Sequence, residues 1–151
     1  MRTGELCVRD VVTATRDEPL REAARRMVEK HVGSLVVVDE LGALSRPIGI
    51  VTDRDLVRTM AVEGLGHGRA ITVGDLMSRE LLVADDDQDV LEALARMRVR
   101  GVRRLPVVDQ QRSLVGILTL DDIVEWLAEE LTGVARLVNR EQRRERERKG
   151  Q

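Results

Sequence analysis

Two stretches decide how this 151-residue chain is read: Gly49-Ile50-Val51-Thr52-Asp53-Arg54-Asp55-Leu56 and Gly116-Ile117-Leu118-Thr119-Leu120-Asp121-Asp122-Ile123. Each runs from a glycine through apolar residues to a threonine. An aspartate follows three residues later, and an apolar helical pattern takes over. The pattern predicts a strand that gives way to a helix at Thr52 and again at Thr119, each threonine being an N-cap candidate. Such a junction gathers the hydroxyl, the carboxylate and the free N–H groups of the first helical turn on one small patch. Two readings of that patch stay open. One is a capping box, a Thr followed at plus three by an acid. The other is a polar pocket, whose carboxylate accepts both hydroxyls of a ribose and whose helix N-terminus receives a phosphate.

Working outward, the chain repeats itself. At an offset of 67, residues 49–61 align with 116–128. Upstream, at an offset of 70, residues 4–39 align with 74–109 without a gap and share 14 of 36 positions, among them Gly4/Gly74, Ala23/Ala93, Met27/Met97 and Asp39/Asp109. The change of offset places three extra residues in a Glu40–Ile48 loop of the first copy. An internal repeat outranks other signals, because missing it misreads the whole fold.

Each copy carries the same order of elements. A short strand is expected near Val11–Ala14 and near Leu81–Ala84. Amphipathic helices follow at about Pro19–Lys30, with Leu20, Ala23, Ala24, Met27 and Val28 on one face, and at Asp89–Arg100, with Val90, Leu91, Leu94 and Met97. Asp85-Asp86-Asp87 reads as a turn and cap before the second of these, not as a metal cluster. Two continuous apolar strands come next, Leu35–Asp39 with Pro47–Val51 and Leu105–Asp109 with Leu114–Thr119. Their lack of alternation implies that both faces are covered. A second helix closes each copy, over Asp53–Ala61 and Leu120–Leu131. The predicted fold is α/β of the α+β type. Two β-α-β-β-α repeats pack strand face to strand face about an approximate two-fold axis and share one core. The expected boundaries are 4–62 for the first repeat, 63–73 for a linker built on Gly64-Leu65-Gly66-His67-Gly68, and 74–131 for the second. Residues 132–151 are expected to form a helix extension and a charged, disordered tail.

Composition narrows the function. Trp126 is the only aromatic residue, so stacking platforms for bases are not available. Net charge is −2, which argues against a dedicated nucleic-acid binder. One cysteine, Cys7, rules out an intrachain disulfide and suits a reducing compartment. With only His31 and His67 beside it, no structural zinc site and no Ser-His-Asp arrangement is indicated. No apolar stretch approaches a membrane span, and no signal peptide is expected at Met1. The chain is therefore expected to be cytoplasmic, without a membrane contact, and not an enzyme.

The two opening stretches, with Leu35-Val36-Val37-Val38-Asp39, Leu105-Pro106-Val107-Val108-Asp109 and Asp75-Leu76-Met77-Ser78, resemble the signature segments of CBS domains (cystathionine β-synthase domains) over about residues 4–131. The resemblance implies a tandem pair, or Bateman module, with two clefts between the repeats. It further implies a regulatory sensor that takes an adenosyl ligand there: AMP, ADP, ATP or S-adenosylmethionine, with or without Mg²⁺, and no tightly bound cofactor. Carried over, Asp55 and Asp122 would hold ribose hydroxyls, and Thr52 and Thr119 would sit near sugar or phosphate. Ile50 and Ile117 would line the clefts, and the backbone around Val36 and Pro106 would flank adenine. Members that bind phosphorylated nucleotides often carry basic residues before the Leu-Pro-Val-Val segment. Here Arg103-Arg104 occupy that place in the second copy and Gly33-Ser34 in the first, so the second cleft is expected to prefer the more highly charged nucleotide. Arg54 reads either as a phosphate contact or as a solvated helix residue, and His31 as a pH-dependent contact or a structural residue. A homodimer is expected, with Val57, Met60, Val124 and Leu127 as its contacts and Trp126 either beside them or in the monomer core, and so is an unknown regulated protein. The rival functions are a protein-interaction module with vestigial clefts and a weak nucleic-acid binder.

Overall fold

The structure is a computed structural model that describes residues 1–63, 70–78 and 80–149. The glycine-rich linker with His67, and Arg79 of the repeat alignment, lie outside the described residues. The elements run α1 (Thr3–Leu6), β1 (Thr13–Thr15), α2 (Leu20–Lys30), β2 (Ser34–Leu41), β3 (Leu44–Thr52) and α3 (Asp53–Glu63). They continue with α4 (Val73–Leu76), β4 (Ala84–Asp85), α5 (Val90–Arg100), β5 (Arg104–Val108), β6 (Leu114–Thr119) and α6 (Leu120–Lys149). Each repeat builds one three-stranded sheet, in the order β1-β2-β3 or β4-β5-β6. The outer strand is parallel to the middle one, and the hairpin is antiparallel.

The strand alternation assigns the faces. Leu35, Val37 and Val51 point to the helices with Ala23, Met27 and Leu56, and Leu105, Val107 and Leu118 do the same with Ala93, Met97 and Ile123. Val36, Val38 and Val108 belong to neither cluster yet are at most 2% exposed. They lie on the opposite sheet face, where β3 and β6 meet across the repeats. Both faces of the middle strands are thus covered. The apolar interior differs from the expected single shared core: each sheet closes a cluster of its own against its helices.

Each cluster is completed by the other repeat. The sequence pattern left the short helices α1 and α4 unassigned, and they cross over. In α1, the Thr3 and Gly4 N–H groups donate to the carbonyls of Gln88 and Asp86. Cys7 and Leu6 enter the cluster of the second repeat. In α4, Val73 and Gly74 donate to Glu18 and Arg16, and Val73, Leu76 and Met77 enter the cluster of the first. The crossing segments also satisfy the first N–H of α2 and of α5: Leu20 donates to Ile71 and Val90 to Met1. Those donors have no intrahelical partner. Pro19 is the N-cap of α2 rather than its first helical residue, and Asp89 caps α5 by accepting from the Leu91 N–H at 2.9 Å. Asp85-Asp86-Asp87 serves this junction: the Asp85 carbonyl takes the fully buried Thr3 hydroxyl, and the Asp85 carboxylate meets Arg112 at 2.8 Å.

Two further differences from the pattern have local causes. The extra residues of the first copy are not loop. They lengthen the β2–β3 hairpin, whose register runs to Leu41↔Leu44 with Gly42 at φ +65° in the turn. The first strands sit later than expected. β4 is also one residue shorter than β1, because Pro106 has no N–H where Val36 donates to the Val12 carbonyl at 3.2 Å. Finally, α6 runs from Leu120 to Lys149 and takes in the expected helix extension. Spacings such as Arg143/Glu147 and Glu145/Lys149 place opposite charges four residues apart on it, which supports a solvated helix.

Candidate functional site

The register brings the sequence-selected residues together in two equivalent sets. In the first sheet Ser34 lies opposite Thr52 and Val36 opposite Ile50, all on the face turned away from the helices. In the second, Arg104 lies opposite Thr119 and Pro106 opposite Ile117. Val36 and Pro106 are buried, whereas Ile50, Ile117, Thr52 and Thr119 are half-buried. The crossing segments border these sets. Ser78 donates to the Ile50 carbonyl at 3.0 Å, while Val8 and Ile117 exchange two bonds of 2.9 Å.

At each strand–helix junction the capping box is formed. Asp55 Oδ2 accepts the Thr52 N–H at 2.8 Å and the Thr52 hydroxyl at 2.7 Å, and the Asp55 N–H donates back to Thr52 Oγ1 at 3.3 Å. Asp122 and Thr119 repeat it at 2.8, 2.6 and 3.2 Å. The same bonds recur at Thr72 and Asp75 before α4, where Asp75 Oδ2 accepts the Thr72 N–H and hydroxyl at 3.0 and 3.1 Å. The box is therefore a general device of this chain. The junctions at Thr52 and Thr119 differ from it by standing at the end of a sheet strand. Only one oxygen of Asp55 and of Asp122 enters the box, which leaves the other lone-pair set of each carboxylate as an acceptor.

The two sets differ in charge. Arg104 shares the sheet face of Pro106 and stands opposite Thr119. Arg103 precedes the strand, and its guanidinium is 3.6 Å from Asp121; both side chains are largely exposed, so the pair is weak. The first set has Gly33 and Ser34 at these places, with the Asp53 N–H donating to the Gly33 carbonyl. Arg54 is exposed on the first turn of α3. Pro106 adds a second asymmetry, since the position equivalent to Val12, Leu82, receives no N–H from it.

Other candidates take structural places. His31 is the exposed αL cap of α2 at φ 54°, where α5 has Gly101 at φ 65°. Burial pushes the Cys7 thiol up, against the opposing charge of Arg9. Leu127 and Trp126 pack on the second repeat's own cluster, while Val57, Met60 and Val124 are exposed. Among the described residues no group of His, Cys, Asp and Glu could hold a metal ion, and no helix is long and apolar enough to cross a membrane. A 540 Å³ hollow lies beside β1 and α2, lined by Asp10–Thr15, Glu18, Arg26 and Lys30. Val12 on its wall accepts the Val36 N–H, so the hollow lies one strand from the first set, and Arg26 there is held by Glu18 at 2.7 Å.

The chain is similar to known proteins over most of its length. The CBS domain family model matches residues 4–62 and 73–129. The CBS domain-containing protein YhcV of Bacillus subtilis is 35% identical over 127 residues, covering 83% of this chain and 85% of that protein. Protein MK0525 of Methanopyrus kandleri is 39% identical over 122 residues, covering 81% of this chain but only 60% of its own length. Among solved structures, the CBS domain pair of protein MJ0100, in complex with 5'-methylthioadenosine and S-adenosyl-L-methionine, superposes with a TM-score of 0.74 at 25% identity. The match covers 86% of this chain and 98% of that one.

Proposed function

This chain belongs to the CBS-domain family, and on that premise we propose that it is a regulatory sensor that binds an adenosyl ligand between its repeats. AMP, ADP, ATP and S-adenosylmethionine are the candidates, with Mg²⁺ accompanying only a polyphosphate. The observation that carries the reading is the register that sets the capping boxes of Asp55 and Asp122 at the end of a strand, on the sheet face of Val36 with Ile50 and of Pro106 with Ile117. One oxygen of each carboxylate is spent on the capping box, and the other remains an acceptor for a ribose hydroxyl beside a helix N-terminus. The solved pair that holds methylthioadenosine and S-adenosylmethionine supports the ligand class. In this reading Ile50, Ile117 and the backbone around Val36 and Pro106 flank the base. The reading assigns the chain no reaction; the ligand acts by changing what the protein presents to a regulated partner.

The test separates cap from ligand. Asp122→Asn keeps an oxygen for the Thr119 donors and replaces the free acceptor by an NH₂ donor. Its midpoint without ligand should stay near wild type. Nucleotide-free wild type at one hundred times Kd should gain about 2.7 kcal/mol from a one-site ligand, a rise of roughly 5–10 °C. Loss of that rise in Asp122→Asn assigns the site. An unchanged rise in both Asp55→Asn and Asp122→Asn, or no rise with any adenosyl compound, would overturn the proposal in favour of protein contacts alone.

Arg104 refines the ligand. Its place opposite Thr119 makes it the phosphate-facing cation in this reading, whereas Arg103 precedes the strand. Arg104→Ala should weaken ATP binding about tenfold or more, as expected for losing a charge-assisted bond, and leave adenosine binding nearly unchanged. Equal losses for both, measured by calorimetry, would count against a phosphate role.

A further inference from the structure

The distal half of α6 stands clear of both apolar clusters. From Ala128 to Arg148 every residue of the helix is exposed. Apolar side chains nevertheless continue along it: Val124, Leu131 and Val138 recur every seven residues, with Val134 and Leu137 beside them, each 45–70% exposed. A helix in water holds such a stripe only at a cost, and seven-residue recurrence is the spacing of a helix–helix seam.

The same helix is divided by charge. Residues 120–131 carry five acids, Asp121, Asp122, Glu125, Glu129 and Glu130, and no cation. Residues 132–149 carry seven cations and three acids. We propose that α6 pairs in antiparallel orientation with α6 of a second copy, along Val124, Leu131, Val134 and Val138, with the crossing centred near Val134 and Ala135.

Charge chooses both the occupant and the direction. The surface complementary to the basic half is the acidic half of the same helix. A two-fold axis at the centre sets Leu131 against Val138 of the second copy and brings residues 121–130 alongside residues 139–148. A parallel pair would place the +4 half against itself. Helix dipoles favour the antiparallel arrangement as well. The contact is isologous, so it closes at a dimer and does not propagate. The dimer contacts expected from sequence divide accordingly: Val124 joins this seam, whereas Leu127 and Trp126 stay with their own core.

The test uses the full chain in sedimentation equilibrium over a concentration series. Wild type should show twice the monomer mass at low salt and weaken as salt rises. Leu131→Glu/Val138→Glu should be a monomer that keeps the wild-type far-UV circular dichroism, since both side chains are exposed in the monomer, and its midpoint should fall only by the contribution of dimerisation. Direction is read by cysteine crosslinking, the native thiol being buried. A mixture of the Val124→Cys and Glu145→Cys proteins should crosslink while each alone does not. A monomeric wild type would overturn the proposal. So would a dimer that survives Leu131→Glu/Val138→Glu, or variants that crosslink only with themselves.

Discussion

Removing residues 1–9 is expected to destabilise the second repeat, although it lies more than sixty residues away in sequence. α1 supplies Leu6 and Cys7 to the cluster around Leu105, Leu118 and Ile123. It supplies Thr3, whose hydroxyl bonds the Asp85 carbonyl, and the Met1 carbonyl that satisfies the first N–H of α5. Losing the partly buried Leu6 together with the buried Cys7 costs about 2–3 kcal/mol, the low end for core side chains, and each orphaned buried polar group adds about 1–3 kcal/mol. The sum is comparable with the total stability of about 5–15 kcal/mol of an ordinary domain. In hydrogen exchange, amides of β5 and β6 should lose protection in the truncated protein before those of β2 and β3. A synthetic peptide of residues 1–10 should restore them. Loss confined to the first repeat, or none, would mean that the crossing carries no energy.

The second large effect is expected at the crossing points themselves. Gly116 sits under Cys7 and Val8: a Cβ there would collide with the Cys7 sulfur and stand 3.0 Å from the Val8 carbonyl oxygen. Gly49 is its counterpart, with the Ser78 carbonyl oxygen at 2.8 Å. Backbone atoms cannot swing aside as a side-chain tip can, so Gly116→Val must push the crossing segment off the sheet. Overpacking of this kind costs about 1–3 kcal/mol, and here the displaced segment takes its core contacts with it. The expected result is a thermal midpoint lowered by roughly 5–10 °C or an unfolded protein. Gly133 in α6 is the control, because nothing lies within 4 Å of its Cβ position. Gly133→Ala should be stabilising by up to about 1 kcal/mol through helix propensity. If both glycines tolerated the larger side chain equally, close approach would not be the reason for glycine at 116.

These two results bear on what could be read from the chain. Gly4/Gly74 and Gly49/Gly116 are matched in both copies, and in sequence they look like turn residues. In the fold all four are places where one backbone passes close over another. Short-range pattern carries no trace of which copy passes over which. Thr3–Leu6 and Val73–Leu76 are a single turn each, too short for helical periodicity to register, and their partners are distant in sequence.

The candidate site shows the same division. The spacing of Thr52 with Asp55 and of Thr119 with Asp122 identified a cap or a pocket, without choosing between them. Thr72 and Asp75 form the same box before a four-residue helix, so the bonds alone make no site. What distinguishes the other two is register. A strand ends there, and its neighbours Val36 with Ile50, or Pro106 with Ile117, share the junction's sheet face. Arg103 and Arg104 were indistinguishable as adjacent cations. Strand alternation sets Arg104 on the face of Pro106 and leaves Arg103 near Asp121.

By itself the amino-acid sequence determined the duplication, the order of elements in each copy, the helix faces and the family. These rest on local periodicity and on residue identities at fixed spacing, which survive without knowledge of the partner surface. Only the tertiary structure decided the exchange of opening segments, the division of the interior into two clusters, the face each arginine occupies and the course of α6 to Lys149. Those features depend on which distant backbone fills a space or completes a hydrogen bond, and on whether a charged helix finds solvent on every side.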